Sequence, residues 1–158
     1  VSTMKLFWLL LLCSFSFLHS EEKAPLHPSP QSVEKELEKA IKFDPNGPNS
    51  IGYLYIGDHE TQISESTWLY MKQGLDFYKK NRPLFIIVEL NTPGGEVFAA
   101  QKISDALKEM DIQWNIPVVA FINNWAISAG AMIAYSCRFI TTVKDGSMGA
   151  AEPVLAGE

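Results

Sequence analysis

Apolar residues recur along this chain in two alternating patterns, which predict strands and helices in turn. Continuous apolar runs begin at Ile51, Leu84 and Ile116, and runs of this length are typical of buried strands. Between them, apolar residues return every three or four positions, as on one face of a helix. The predicted elements are a helix over 32–43, a strand over 51–56, a helix after 64, a strand over 84–90, a helix over 97–110, a strand over 116–122, a helix over 128–135 and a short strand over 139–143.

The alternation of strands and helices predicts an α/β fold with a mostly parallel sheet. In such a sheet, functional groups collect outside the carboxyl ends of the strands. Two segments, 91–95 and 123–128, directly follow the carboxyl ends of the second and third predicted strands. We therefore expect these two segments to lie together and to contain the functional site.

The first twenty residues have the pattern of an export signal. Lys5 precedes an apolar run from Leu6 to Leu18, which is short for a membrane-spanning helix, and Ser20 is a candidate cleavage position. An uncleaved membrane anchor is the alternative. Residues 21–50 then form a proline-containing linker and the first helix. We expect an exported or membrane-associated protein whose folded domain lies outside the cytoplasm, in the periplasm of a cell that has one.

Composition and charge narrow the functional classes. The formal net charge of −5 gives no support to nucleic-acid binding through phosphate contacts. Cys13 lies in the predicted leader, so Cys137 would have no internal disulfide partner and is expected to be a buried apolar residue. No metal-ligand spacing and no phosphate-binding loop occurs in the sequence. We therefore expect no metal, nucleotide or other cofactor.

The segment Pro93-Gly94-Gly95 is a candidate oxyanion-binding loop. Two glycines after a proline allow backbone angles that are closed to other residues, and they can present N–H groups to an oxygen that becomes negative in a transition state. A plain strand-to-helix turn would need the same residues. The segment alone does not decide between these interpretations.

Ser128 is the candidate nucleophile. It stands among small residues at the start of a predicted helix, where the helix dipole and close substrate approach both favour a reactive hydroxyl. The alternative is a serine that only caps the helix. A reactive serine needs a base, and His19, His27 and His59 all precede it. Lys144 is the single lysine after Ser128, and its surroundings predict an exposed turn.

Three motifs in order resemble a known family. Asn-Thr-Pro-Gly-Gly at 91–95, Ala-Ile-Ser-Ala-Gly-Ala at 126–131 and Gly-Ser-Met-Gly-Ala-Ala-Glu-Pro-Val at 146–154 are similar to the protease domain of NfeD-type membrane-bound serine proteases. These belong to the ClpP class and are related to signal peptide peptidase A. The resemblance covers residues 51–158 and implies a ClpP/crotonase-like fold of repeated β-β-α units. In this family the position of Asn91 is an aspartate.

The resemblance also implies roles for individual residues. Ser128 corresponds to the nucleophile, Gly95 and Ala129 to the oxyanion-hole donors, and Gly94, Met148 and Gly149 to substrate-binding positions. The general base of the family is a lysine that would come after Glu158. The implied activity is cleavage of membrane-associated peptides or proteins by a Ser–Lys dyad, in a homo-oligomer and without a cofactor.

Two other functions remain open at this point. A catalytically inactive ClpP-like module could serve assembly or binding. A crotonase-type acyl-CoA enzyme would use the same paired backbone donors on a thioester, although the export signal disfavours a cytosolic CoA substrate.

Overall fold

The computed structural model describes residues 30–57 and 62–152, in which strands and helices alternate. The predicted leader and most of the linker lie outside these residues. The predicted helices and strands are confirmed, with ends shifted by a few residues, whereas the last strand was not predicted. In chain order the elements are α1 (Pro30–Ala40), β1 (Gly52–Ile56), α2 (Glu65–Asn81), β2 (Ile86–Thr92), α3 (Val97–Ile112), β3 (Val118–Ile127), α4 (Ala129–Tyr135), β4 (Phe139–Thr142) and β5 (Ser147–Gly149).

Local chemistry explains where the longest helix begins and ends. Ser64 precedes α2, and its N–H donates to the Thr67 hydroxyl at 3.1 Å, which satisfies one donor at the helix start. Arg82 ends the helix in the left-handed conformation with φ 48°. Pro83 follows, and its ring and missing N–H prevent the helix from continuing.

The strands form a parallel sheet, as predicted, and their order in the sheet is β1-β2-β3-β4. One face carries the even-numbered residues of β1, β2 and the first part of β3, up to Ile122, which are buried, and α2, α3 and α4 supply most of the other buried side chains of the core. Fully buried side chains on the two sides include Val88 and Ile122 from the sheet and Met71, Ile103 and Leu107 from the helices. This burial supplies the hydrophobic free energy that holds the carboxyl ends of β2 and β3 in place.

The opposite face of the sheet is partly exposed among the described residues. Tyr53 is 52% exposed although it lies in an apolar run, because the strands alternate between a buried and a solvated side. A polar network crosses this face: the Tyr53 hydroxyl donates to Glu89 at 2.6 Å, and the Asn123 amide donates to the same carboxylate at 2.7 Å. The bond to Glu89 raises the pKa of Tyr53 to about 12.

β2 and β3 continue beyond the main sheet into a second set of short pairings. The register of β2 on β3 shifts after Leu90, and Thr92 then pairs with Ala126. The end of β3 pairs with β5 rather than β4, and Ile63 forms an isolated bridge with Gly95. β2 and β3 thus each have a core part and a short continuation before the following helix, which agrees with the β-β-α units that the resemblance implies.

The outer edge of β1 is closed by tyrosine hydroxyls from α2. The Tyr78 hydroxyl accepts the Tyr53 N–H at 2.8 Å and donates to the Tyr53 carbonyl at 2.9 Å. The Tyr70 hydroxyl accepts the Tyr55 N–H at 3.2 Å. An edge strand with unpaired backbone groups invites pairing with another chain, and these hydroxyls occupy the groups that would pair.

We expect Tyr78→Phe to lower the free energy of unfolding by about 1–3 kcal/mol, because it removes two hydrogen bonds and leaves the backbone of Tyr53 without these partners. Tyr135→Phe is the matched control, since Tyr135 is 64% exposed. Chemical denaturation of both variants measures the difference. Equal stabilities would show that the tyrosine hydroxyl contributes nothing to closing the edge.

Candidate active site

Ser128 lies on a sharp turn between β3 and α4. Its backbone angles are φ 53° and ψ −118°, a conformation that a residue with a side chain rarely adopts and that stores about 1–3 kcal/mol of strain. The Ser128 N–H donates to the Gly149 carbonyl at 2.8 Å, and its carbonyl accepts from Ala131 and Met132. β5 therefore holds the turn in its strained form.

The Ser128 hydroxyl does not cap the helix. Ser128 occupies the N-cap position of α4, yet its side chain makes no capping hydrogen bond. A serine retained only as a cap would place its oxygen on an N–H of the first turn. The side chain is half-buried, so the hydroxyl remains available to a reacting group.

The Gly94-Gly95 loop is held by three hydrogen bonds. The Gly94 N–H donates to the Thr92 hydroxyl at 3.1 Å, and the Gly94 carbonyl accepts from Ile63 N–H at 2.8 Å. The Glu96 N–H donates to the Ile63 carbonyl at 2.8 Å. The Gly94 and Glu96 N–H groups thus have acceptors, whereas the Gly95 N–H has none within the part of the chain that the structure describes. Gly95 is exposed, whereas Gly94 is buried.

Both glycines are required by the backbone. Gly94 has φ 110° and Gly95 has φ 151°, values that residues with a β-carbon rarely adopt. A β-carbon on Gly95 would overlap the Ile63 carbonyl oxygen. The loop therefore adopts a specific conformation against the segment that precedes α2, and it is not a plain turn.

The structure brings the two sequence-predicted segments together. A β-carbon on Gly94 would lie 2.8 Å from the Ser128 β-carbon and 3.2 Å from the Ala129 nitrogen. Ala129 is the first residue of α4, and its N–H has no acceptor among residues 30–57 and 62–152. Ser128, the candidate nucleophile, thus packs against Gly94. The two predicted backbone donors, at Gly95 and Ala129, are the residues that follow Gly94 and Ser128 in the chain.

Met148 and Gly149 lie in β5, beside the nucleophile turn. Met148 pairs with Ala126 and is half-buried, and Gly149 pairs with Ile127 and accepts the Ser128 N–H. Gly149 therefore has a structural contact with the turn in addition to the substrate contact predicted for it. The substrate-binding roles of Gly94, Met148 and Gly149 stay predictions.

A general base for Ser128 is not found among the described residues. Lys144 is exposed in the turn between β4 and β5, as predicted, and it makes no hydrogen bond to the Ser128 hydroxyl. The three histidines, His19, His27 and His59, lie outside the described residues. The same residues contain no group of three side chains with metal-ligand geometry.

Cys137 is the second potential nucleophile of the fold, and the structure argues against its reactivity. Burial raises the pKa of its thiol to about 12, and its sulfur donates to the Ile133 carbonyl at 3.5 Å. The thiolate is the reactive form, so a thiol of this kind is inert near neutral pH. Cys137 is a buried residue of the core cluster, as the sequence predicts.

We expect Cys137 to resist iodoacetamide at pH 8 in the folded protein and to react after unfolding in guanidinium chloride. Burial raises the pKa of the folded thiol from the ordinary value of 9.0 to about 12, so its contribution to stability is present below pH 9 and is lost as pH rises toward 12. Peptide mapping by mass spectrometry checks the reactivity. Rapid alkylation of the native protein would contradict this burial.

Two residues that sequence reasoning missed complete the site. Thr92 is fully buried and bonds Gly94, and Ile63 anchors the loop through its backbone. Thr92 could have been found, because a polar residue at a buried strand position within the Asn-Thr-Pro-Gly-Gly motif needs a hydrogen-bond partner. Ile63 carries no such signal, since its contribution comes from backbone atoms outside any strand.

Several apolar side chains are solvated near the site. Phe98 is 85% exposed and Val97 is partly exposed at the start of α3, and Trp125 is 42% exposed three residues before Ser128. These side chains offer apolar contact area to a bound chain.

Among the described helices, none has the length and apolarity of a membrane-spanning segment.

The family model of the NfeD1b N-terminal domain matches residues 54–157. The chain belongs to this family. The resemblance seen in the motifs is confirmed, and so is the predicted ClpP/crotonase-like α/β fold. The NfeD1b match contains both halves of the candidate site, from the glycine loop to the serine turn and β5.

Two curated relatives share part of the chain. Membrane protein NfeD1b of Bacillus subtilis is 34% identical over 98 residues, which are 62% of this chain and 22% of that protein. Membrane-bound protease PH1510 of Pyrococcus horikoshii is 29% identical over 105 residues, which are 65% of this chain and 23% of that protein. The chain thus spans less than a quarter of the length of these relatives.

Solved structures of 1510-N, described as a membrane-bound stomatin-specific protease, have the same fold. A variant with a serine replaced by alanine has a TM-score of 0.61 at 26% identity, over 69% of this chain and 51% of that one. A variant with a lysine replaced by alanine, in complex with a substrate peptide, has a TM-score of 0.60 at 27% identity, over 68% of this chain and 47% of that one.

Proposed function

We propose that this chain is the N-terminal catalytic part of a serine endopeptidase, with Ser128 as the nucleophile. The observation that carries the proposal is that the Ser128 hydroxyl makes no capping hydrogen bond to α4, although Ser128 lies on a strained turn in contact with the Gly94-Gly95 loop. The Gly95 and Ala129 N–H groups are the oxyanion-hole donors of this proposal. Relatives described as proteases support the same chemistry.

The proposed reaction proceeds through an acyl-enzyme. The Ser128 oxygen attacks the scissile carbonyl and loses its proton to a base, so a C–O bond forms and the carbonyl oxygen becomes negative. Two N–H donors stabilise that oxygen, and one such donor is worth about 10²–10³-fold in rate. When the intermediate collapses, the C–N bond breaks and the amine leaves with a proton. Water then hydrolyses the ester and releases Ser128.

The base of this proposal is a lysine, as the family resemblance implies. The lysine-to-alanine variant of 1510-N, which was solved with a substrate peptide, supports this choice. Among the described residues no lysine is hydrogen-bonded to the Ser128 hydroxyl, and Lys144, the one lysine after Ser128, is exposed. A neutral amine next to Ser128 would accept its proton near physiological pH only when burial lowers the amine pKa.

We infer peptide or protein substrates at a membrane, and a homo-oligomeric enzyme whose active site lies outside the cytoplasm. Both curated relatives are described as membrane proteins or membrane-bound, and 1510-N is described as specific for stomatin. The predicted leader over 1–20 agrees with export. The exposed apolar side chains of Phe98 and Trp125 agree with an apolar substrate segment.

The proposal is tested with the full-length protein and a library of peptides from membrane proteins, with new termini identified by mass spectrometry. Cleavage at defined bonds that persists in the presence of a metal chelator supports a serine endopeptidase. Peptide binding without cleavage would contradict it and favour a non-catalytic binding module. Turnover of acyl-CoA thioesters without peptide cleavage would contradict it and favour a crotonase-type enzyme.

A further inference from the structure

We infer that Thr92 is the positioning residue that joins the two halves of the candidate site. This inference rests on the proposed function, because it concerns how the Gly95 and Ala129 donors are aimed. Thr92 is the last residue of β2 and is 0% exposed. Buried polar side chains are retained when their hydrogen bonds hold something in place, and the contacts of Thr92 show what it holds.

The hydroxyl of Thr92 fixes the glycine loop. It accepts the Gly94 N–H at 3.1 Å and lies 3.4 Å from the Gly94 carbonyl oxygen. On the far side of the loop, Ile63 N–H donates to the same Gly94 carbonyl. The peptide on either side of Gly94 is thereby held in one orientation, and the direction of the Gly95 N–H follows from that orientation.

The methyl group of Thr92 contacts the other half of the site. A β-carbon on Gly130 would lie 2.8 Å from Thr92 Cγ2, so α4 approaches this methyl as closely as a glycine allows. Gly130 is the second residue of α4, directly after Ala129. Thr92 also pairs with Ala126, two residues before Ser128. One side chain therefore contacts both parts of the site, since its hydroxyl bonds the loop and its methyl packs against the start of α4.

The two substituents of Thr92 separate these roles experimentally. Thr92→Val keeps the shape and removes the hydroxyl, which leaves the Gly94 N–H buried without that acceptor. Thr92→Ser keeps the hydroxyl and removes the methyl. If the hydroxyl aims an oxyanion donor, Thr92→Val should lower kcat by about 10²-fold, the effect of losing one such donor, with KM within about twofold. Thr92→Ser should keep kcat within about fivefold.

The experiment measures kcat and KM for peptide cleavage by the full-length protein and its variants. Thr142→Val is the matched control, because the Thr142 hydroxyl also bonds the backbone, donating to the carbonyls of Ile122 and Val143, but stands in β4. The control is expected to keep kcat within about twofold. A low kcat in Thr92→Val, rescued in Thr92→Ser, supports the inference.

Other outcomes identify which claim fails. Wild-type kcat in Thr92→Val, with Ser128→Ala inactive, overturns the positioning role and leaves the proposed function intact. Full activity in Ser128→Ala overturns the proposed function itself. If Thr92→Val does not fold, Thr92→Ser carries the test together with amide hydrogen exchange at residues 94–96. Faster exchange or a hundredfold loss of kcat in Thr92→Ser would overturn the assignment to the hydroxyl.

Discussion

Ser128→Ala is expected to lower peptide hydrolysis by the full-length protein by at least about 10⁴-fold, because no acyl-enzyme forms without the hydroxyl. The fold should be retained. The hydroxyl makes no capping bond to α4, so its removal is expected to change the free energy of unfolding by less than about 1 kcal/mol. Initial rates with a fluorogenic peptide and a denaturation curve measure the two effects separately.

Ser136→Ala is the matched control at the opposite end of the same helix. The Ser136 hydroxyl is buried and donates to the Ile133 carbonyl at 2.6 Å, so this variant loses a real hydrogen bond. It should lose about 1 kcal/mol of stability and keep its rate. The opposite pattern, in which Ser128→Ala is destabilised and active, would show that Ser128 is a structural serine.

Gly95→Ala is expected to lower the free energy of unfolding by about 3–5 kcal/mol and to abolish activity. The added β-carbon would overlap the Ile63 carbonyl oxygen and lie 2.5 Å from the Ile63 nitrogen, and both are backbone atoms that cannot rotate away. The residue also has φ 151°, which adds strain for any residue with a side chain. Relief of the clash would break the bridge between Ile63 and Gly95 that holds the Gly94-Gly95 loop.

Gly149→Ala separates the free-energy cost of backbone strain from that of the steric clash. Gly149 has nearly the same angle, φ 153°, but a β-carbon there would meet nothing within 4 Å. This variant should show only the strain, about 1–3 kcal/mol, so the difference between the two variants measures the clash with Ile63. Equal losses of stability in a denaturant titration would contradict the close approach of the loop to Ile63.

The main sheet could be predicted because its strands are apolar runs, and because the segments between them have apolar residues at every third or fourth position, as in a helix. β5 could not, since Ser147–Gly149 is short and its role depends on backbone pairing with the end of β3. The exposed face of the sheet could not be predicted either. The sequence of β1 is a continuous apolar run, whereas Tyr53 and Tyr55 are exposed in the structure.

The candidate site was predictable in its parts but not in its geometry. Ser128 and the glycine loop follow the carboxyl ends of neighbouring parallel strands, and topology alone brings them together. The sequence cannot show that the Ser128 hydroxyl leaves the helix uncapped, because a side-chain rotation decides it. It also cannot show that the Gly95 N–H has no acceptor among the described residues, because that depends on Ile63, which lies far from the motif in sequence.

The most direct test of the central claim is to identify the residue that is acylated. The full-length protein is treated with a β-lactone probe, whose strained carbonyl is opened by a nucleophilic hydroxyl to give a stable ester, and the adduct is located by peptide mapping. The account predicts a single adduct on Ser128, which denaturation of the protein before treatment abolishes. An adduct on another residue with Ser128 unmodified, or equal labelling of folded and unfolded protein, would contradict the assignment of Ser128 as the nucleophile.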